Sequence, residues 1–486
     1  MKSLRHFKYL WLIGLGVTML VIALPILVFT RPEAVSAASP WDNVPKRNPA
    51  VSHTNLISGE FKTGQEVTAK CLTCHAEAAH EVTQTAHWTW KGDPIFDPSR
   101  NEEIAIGKAN LLNNFCIGIQ SNWEDCTKCH VGYGWEDETF NFQNEANVDC
   151  LVCHDQSGIY VKAPGGVPAE GVDLLAAAKS VGIPTRQNCG TCHFYGGSGA
   201  AVKHGDLDES LYYPSEVIDV HMGRLDFQCV DCHKTESHEV SGRSISVSID
   251  NKNQVYCTDC HEQASTHTDA RISSHLDTVA CQTCHIPAGA LRQPTKMVWD
   301  WSTAGQDIPE DPYEYLKTRG SFVYATGFTP TYAWFNGTAQ RYLFGDKVDP
   351  NAVNLINSPN GDLNDPKALI FPFKVHMGKQ PYDAIYNYLL QPQTAGEGGY
   401  WDTFDWKSAL ERGSEAAGME FSGEYGFATT AMYWQITHMV QPKENALQCA
   451  DCHGEGTRLD WAALGYPGDP MLWGGRKVIP QAVEVK

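Results

Sequence analysis

Sixteen of the chain's 17 cysteines fall into eight Cys-x-x-Cys pairs, and a histidine follows every pair. The pairs are Cys71 and Cys74, Cys126 and Cys129, Cys150 and Cys153, Cys189 and Cys192, Cys229 and Cys232, Cys257 and Cys260, Cys281 and Cys284, and Cys449 and Cys452. The histidines are His75, His130, His154, His193, His233, His261, His285 and His453. With 19 histidines in 486 residues, chance would put a histidine after fewer than one of the eight pairs. Disulfides need no histidine, and zinc has no use for one fixed beside every second cysteine. Cys-x-x-Cys-His is the attachment site of c-type haem. Its two thiols add to the porphyrin vinyl groups, and the next residue is carried to the face where it can ligate iron. The chain reads as an octahaem cytochrome.

Ligands for the opposite faces must come from elsewhere. Outside the motifs and the leader stand His53, His80, His87, His204, His221, His238, His267, His275, His376 and His438. His80 lies five residues after His75 and cannot reach over its own haem; His87 is better placed for a neighbouring one. The expected second ligands are His53, His87, His204, His221, His238, His267, His275 and His438, one more than seven haems need. His376 stands apart, either as the seventh such ligand or as a proton donor at a catalytic centre. Haems with two fixed ligands exchange electrons, whereas catalysis needs an iron with an open site. Spacing alone leaves open an electron conduit, an enzyme, or both.

These motifs need a framework that wraps cofactors. The motif starts are separated by 55, 24, 39, 40, 28, 24 and 168 residues, too uneven for a repeat array. The expected organisation is a leader over 1–38, a haem-rich region over 39–285, a motif-free lobe over 286–448 and a last haem segment over 449–486. The fold class is mainly α with extensive coil, wrapped around a chain of eight covalent haems. In the lobe, "QPYDAIYNYLL", "DTFDWKSALERGSEAAG" and "YGFATTAMYWQITHMV" are read as helical, as are "RLDWAALG" in the last haem segment and "EVTAKCLTCHAEAAHEVTQ" and "GVDLLAAAKSVG" nearer the N-terminus.

Haem attachment to such motifs happens outside the cytoplasmic membrane, and the N-terminus suits export. A basic "MKSLRHFK" precedes an uncharged, mostly apolar run from Tyr9 to Thr30, with small residues around Ser36 to Ala38. The run also has the length of a transmembrane helix, so cleaved signal peptide and retained anchor both stand as expectations. The protein is expected in the periplasm or on the outer face of the cytoplasmic membrane. The net charge of −20 becomes about −23 without residues 1–38, which carry four basic side chains and one acidic one. Such a field disfavours nucleic acid, and an anionic substrate would need a local positive funnel.

The surroundings of the motifs are more specific than the motifs. "FKTGQEVTAKCLTCH", "NNFCIGI", "CTKCHVGYGW", "CLVCHDQSGIYVK", "CGTCHFYGGSGAAVKHGDLD", "VACQTCHIP", "TYAWFNGTAQRYL", "GKQPYD" and "HMVQPKENALQCADCH" run in this order through nearly the whole exported part. In them the chain resembles the octahaem tetrathionate reductase family, relatives of the cytochrome c nitrite reductases and hydroxylamine oxidoreductases. The resemblance implies that the second haem, held by Cys126 and Cys129, is the active site. It implies too that Lys162 ligates that iron; His130, a motif histidine expected as an axial ligand, would then be held away or left unligated, and whether it binds iron stays open. From the residues alone Lys162 is a surface lysine. Cys116, the unpaired cysteine, reads as a small buried residue, or as a thiol near the second haem. The resemblance further implies reduction of a small inorganic anion, tetrathionate or alternatively nitrite or hydroxylamine, and a calcium site. Electrons would come from a redox partner cytochrome or a membrane quinol dehydrogenase.

Overall fold

The computed structural model describes residues 10–29, 49–115, 118–197, 199–262 and 267–476. Cys116 and the small-residue segment of the leader lie outside them. The described residues between 49 and 285 are mainly short helices joined by coil, as the fold class expected, with two small antiparallel ladders, Ile95–Asp97 with Glu102–Ile104 and Thr235–Glu236 with Glu239–Val240. The motif cysteines sit on or beside these short turns, for example Gly64–Leu72, Leu151–His154, Arg186–His193 and Cys281–His285. Apolar clusters in this region are small and local: Val67, Leu151, Leu174, Ala177 and Ala178 form one, and Trp88, Val131 and Val148 another.

Three helical expectations are corrected beyond residue 285. The centre of the lobe is a seven-stranded sheet. The long strand Leu369–Asp383 pairs antiparallel with Tyr425–Gln435, from Phe373 opposite Gln435 to Asp383 opposite Tyr425. It also pairs parallel with Thr295–Asp300 and antiparallel with Thr331–Phe335. "YGFATTAMYWQITHMV" is therefore mainly strand: Ala428, Thr430, Met432 and Trp434 are buried at a period of two, with Thr and aromatic residues suited to a pleated surface. "QPYDAIYNYLL" begins as the end of the long strand, where its proline sits opposite Phe427. "RLDWAALG" is a set of turns. "DTFDWKSALERGSEAAG" does contain a helix, Trp406–Ala416, whose Asp405 carboxylate accepts from Lys407 N and Ser408 N. Its buried Ala409 and Leu410 join Trp299, Trp301, Tyr400 and Trp434 in the largest core of the protein.

The leader forms a 20-residue helix, Leu10–Phe29. At about 1.5 Å per residue it matches the thickness of a bilayer core, but its described side chains end at residue 23. Among the described residues no helix is long and apolar enough to cross a membrane. The expectation of a retained anchor gains no support from the described residues.

Candidate functional site

One continuous cavity of about 4060 Å³ runs through the haem-rich region, and all sixteen paired cysteines line it. Seven of the eight motif histidines line it as well; His130 does not. Six of the seven face another histidine ring across 6.1 to 6.3 Å: His75 and His53, His193 and His87, His261 and His221, His233 and His438, His285 and His267, His453 and His275. This separation holds one metal ion between two imidazoles at metal–nitrogen distances of about 2 Å. Of the charges that act on His154, that of His238 has the largest effect. Several rings are further oriented by their second nitrogen. Nδ1 of His53, His154, His233 and His275 donates to the carbonyls of Val51, Gly182, Ser241 and Arg271 at 2.7 to 2.9 Å. A carbonyl can only accept, so Nδ1 carries the proton and Nε2 keeps a lone pair for iron.

The histidine surplus resolves on His204 and His376. His204 lines the cavity but faces no histidine; its ring meets Trp434 edge-on at 5.0 Å. This corrects its place among the expected second ligands. Burial holds its pKa well below the ordinary value, with Lys203 adding to the effect. His376 is fully buried and, among the described residues, is not on the cavity wall. Its ring stacks on Phe115 at 3.8 Å, its Nδ1 donates to Asn114 Oδ1 at 2.9 Å, and its Nε2 has no partner. That position corrects the expectation that it could be a haem ligand and leaves it behind the segment that leads to Cys116. His80 is off the cavity too, paired with Glu145 at 3.1 Å.

The second motif is built unlike the others. His130 is completely buried among Trp88, Trp90, Trp135 and Phe140, whose ring centroids lie 4.7 to 5.5 Å from its own. Its Nε2 donates to the carbonyl of Trp88 at 2.7 Å, and Nδ1 has no partner. Burial lowers its pKa to about 3, so the ring is neutral. The aromatic density around it was visible in "HWTW" and "GYGWEDETFNF", but hydropathy alone does not say that a motif histidine is inside.

Lys162, by contrast, lines the cavity. Far from being a surface lysine, it is 6% exposed. Its loop closes tightly: Lys162 bridges to Pro168, and Ala163 N donates to Val167 O at 2.7 Å. Gly165 and Gly166 supply the left-handed conformations at φ of +72° and +78°, and a side chain at Gly166 would strike the carbonyl of Gly132. The loop docks on the second motif through Gly134 N and Trp135 N, which both donate to Gly165 O. Lys162 Nζ then meets the carbonyls of His130 and Gly132 and lies 2.8 Å from Asp149 Oδ2. Asp149, invisible to motif reading, is buried and also accepts from Tyr133 and Tyr160 hydroxyls at 2.9 and 2.8 Å.

Positive charge gathers here against an acidic whole. Lys108, Lys162 and Lys203 all act on Cys129, and Lys108 and Lys203 line the cavity. Behind Lys203 the fully buried Lys374 donates to the carbonyls of Val202 and Lys203 and to Thr295 Oγ1. Burial holds its pKa well below the usual lysine value.

The motifs also follow a spatial order. The sulfurs of Cys71 and Cys150, Cys129 and Cys192, Cys189 and Cys229, and Cys257 and Cys281 lie beside one another in pairs. Cys153 acts on Cys189, Cys260 on Cys232 and Cys452 on Cys284. The sites therefore run first, third, fourth, fifth, sixth, seventh, eighth, and the second branches from the fourth. Among the described residues no group of three or more His, Cys, Asp or Glu could hold a separate metal ion, and the calcium expectation gains no support.

Cysteine pairs lining one cavity, with imidazoles facing across it, define a multihaem c-type cytochrome. The comparisons agree. Residues 296–456 match the family described as bacterial cytochrome c, and residues 215–286 match cytochrome c7 and related cytochromes c. A protein of Archaeoglobus fulgidus, described only as uncharacterized, is 23% identical over 251 residues, 40% of this chain and 82% of its own length. The crystal structure of octaheme cytochrome c from Shewanella oneidensis superposes with a TM-score of 0.82 at 50% identity, covering 87% of this chain and 98% of that one. The chain belongs to the octahaem cytochromes c of the tetrathionate reductase family, and its cofactors are eight covalent haems.

Proposed function

We propose that the protein is an exported reductase whose active centre is the haem on Cys126 and Cys129, with Lys162 as its ligand in place of His130. The observation that supports this reading is a contrast: Lys162 lines the cavity, whereas His130 does not and is sealed among aromatic rings with Nε2 committed to Trp88. When bound, the eight haems supply one-electron chemistry, seven of them between paired histidines. To ligate iron Lys162 must act as a neutral amine, whose two N–H bonds serve two of the three acceptors around Nζ, the carbonyls of His130 and Gly132 and the Asp149 carboxylate, and whose lone pair then takes the third direction. Lys108 and Lys203 draw a dianion to the site, and His204, neutral because buried, stands on the cavity wall beside Lys203. Tetrathionate is the substrate assigned: two electrons split its central sulfur–sulfur bond and release two thiosulfates, with no proton consumed. The electron donor is a cytochrome or a membrane quinol dehydrogenase outside the cytoplasm.

The test is steady-state oxidation of a reduced viologen dye by the holoprotein with tetrathionate, nitrite, hydroxylamine and thiosulfate in turn. Tetrathionate is expected to support the highest kcat/KM. Faster turnover of nitrite or hydroxylamine reassigns the substrate at the same centre, and turnover of none makes the protein an electron conduit.

A further inference from the structure

Three histidines on the cavity wall donate Nδ1 to a carboxylate rather than to a carbonyl. They are His238 to Glu81 at 2.6 Å, His438 to Asp206 at 3.1 Å, and His453 to Asp469 at 2.6 Å. On the proposed ligand pairs these belong to the third, fifth and eighth haems. The fourth haem's ligands are different. The charges that act most on His193 are those of Lys203 and other histidines, and burial is what lowers the pKa of His87; no carboxylate is among these causes. At the sixth, Asp219 stands 4.0 Å from His221 Nδ1, too far for a hydrogen bond. At the seventh, His267 Nδ1 has no partner.

A carboxylate that accepts the Nδ1 proton makes the imidazole a stronger donor to iron, which favours the ferric state and lowers the reduction potential. A neutral carbonyl does this less. The third and fifth haems flank the fourth along the chain of thiol contacts, and the fourth is the one whose Cys192 meets Cys129 of the second.

We propose that Glu81 and Asp206 set the third and fifth haems below the fourth in potential, so that electrons collect at the branch point beside the Lys162 centre. The device is asymmetric. The Asp206 side chain is 1% exposed and that of Glu81 is 34%, so water screens Glu81 more and Asp206 has the larger effect. Asp469 serves as an internal control, because it acts on the eighth haem, remote from the branch. The proposal rests on the ligand pairs of the proposed function.

The test is a potentiometric titration of the holoprotein, dye-mediated and followed by low-temperature electron paramagnetic resonance, beside intact mass. Wild type is expected to show eight haems, seven low-spin bis-histidine centres, and a fourth haem reduced before its two neighbours. Glu81→Gln and Asp206→Asn should each raise the midpoint of one low-spin haem, Asp206→Asn by more, with all eight haems retained. Asp469→Asn should raise a different one and leave the order at the branch unchanged. Fewer than seven bis-histidine centres in wild type overturns the ligand pairs. Seven such centres with midpoints unmoved in the variants, or with the fourth haem reduced after its neighbours, overturns the tuning. If Asp206→Asn does not fold, because Asp206 also accepts from Thr437 N and His438 N, the partly exposed Glu81→Gln decides alone.

Discussion

Replacing Lys162 by leucine and by alanine separates its amine from its stem. Both side chains of the Lys162–Asp149 contact are buried, 5% and 0% exposed, with Nζ 2.8 Å from the carboxylate. As a neutral amine in the holoprotein Lys162 can give Asp149 a hydrogen bond, and leaving a buried acceptor short of a donor costs about 1–3 kcal/mol. Asp149 keeps the Tyr133 and Tyr160 hydroxyls and Val152 N as donors, so the low end, about 1 kcal/mol, is expected for Lys162→Leu. Lys162→Ala also loses three buried carbons relative to leucine, about 2 kcal/mol more at about 0.8 kcal/mol per methylene. Guanidinium unfolding of the holoproteins, followed in the Soret band, measures both values. Neither change touches a thioether, so intact mass should still count eight haems. One iron should change spin state in both variants, and tetrathionate turnover should fall at least about 100-fold. Wild-type spectra and turnover in both variants would refute Lys162 as a ligand, whatever the stability loss.

Further outcomes follow from the same geometry. His130→Phe should leave every low-spin signal in place in the fraction that carries eight haems, because His130 Nε2 binds Trp88 O rather than iron; His154→Phe should remove one. Lys203→Ala should raise KM for tetrathionate several-fold while leaving KM for neutral hydroxylamine unchanged, as the loss of a cation from the site requires. His204→Asn should slow turnover with all low-spin signals retained, whereas His438→Asn should abolish one of them. Cys116 should remain alkylatable in the denatured holoprotein, since the other sixteen cysteines hold haem.

The haem attachment was fully legible because covalent chemistry imposes a local pattern on five consecutive residues. The facing ligands were legible as a set, since irons need partners, but not as pairs, which tertiary contacts alone decide. Lys162 was illegible from its neighbours: burial depends on a loop whose Gly165 and Gly166 carry the signal, and their docking on Gly134 and Trp135 is a non-local event. The lobe's sheet was hidden for a different reason. Along Leu369–Asp383 the buried positions include Lys374, His376 and Gln380, while Val375 and Met377 are only partly buried. The alternation is present with its polarity reversed, so a hydropathy reading passes over it. The inward polar face is what meets Asn113 and Asn114: Asn114 Nδ2 donates to His376 O, and a side chain at Gly378 would strike Asn114.

The identity of the ligand at the second haem is the most direct test of this assignment, and a crystal structure of the haem-loaded protein measures it. Lys162 Nζ should be within bonding distance of the iron carried by Cys126 and Cys129, with the opposite face open toward Lys203 and His204 and with His130 Nε2 still on the Trp88 carbonyl. His130 bound to that iron, with Lys162 paired only to Asp149, would contradict it.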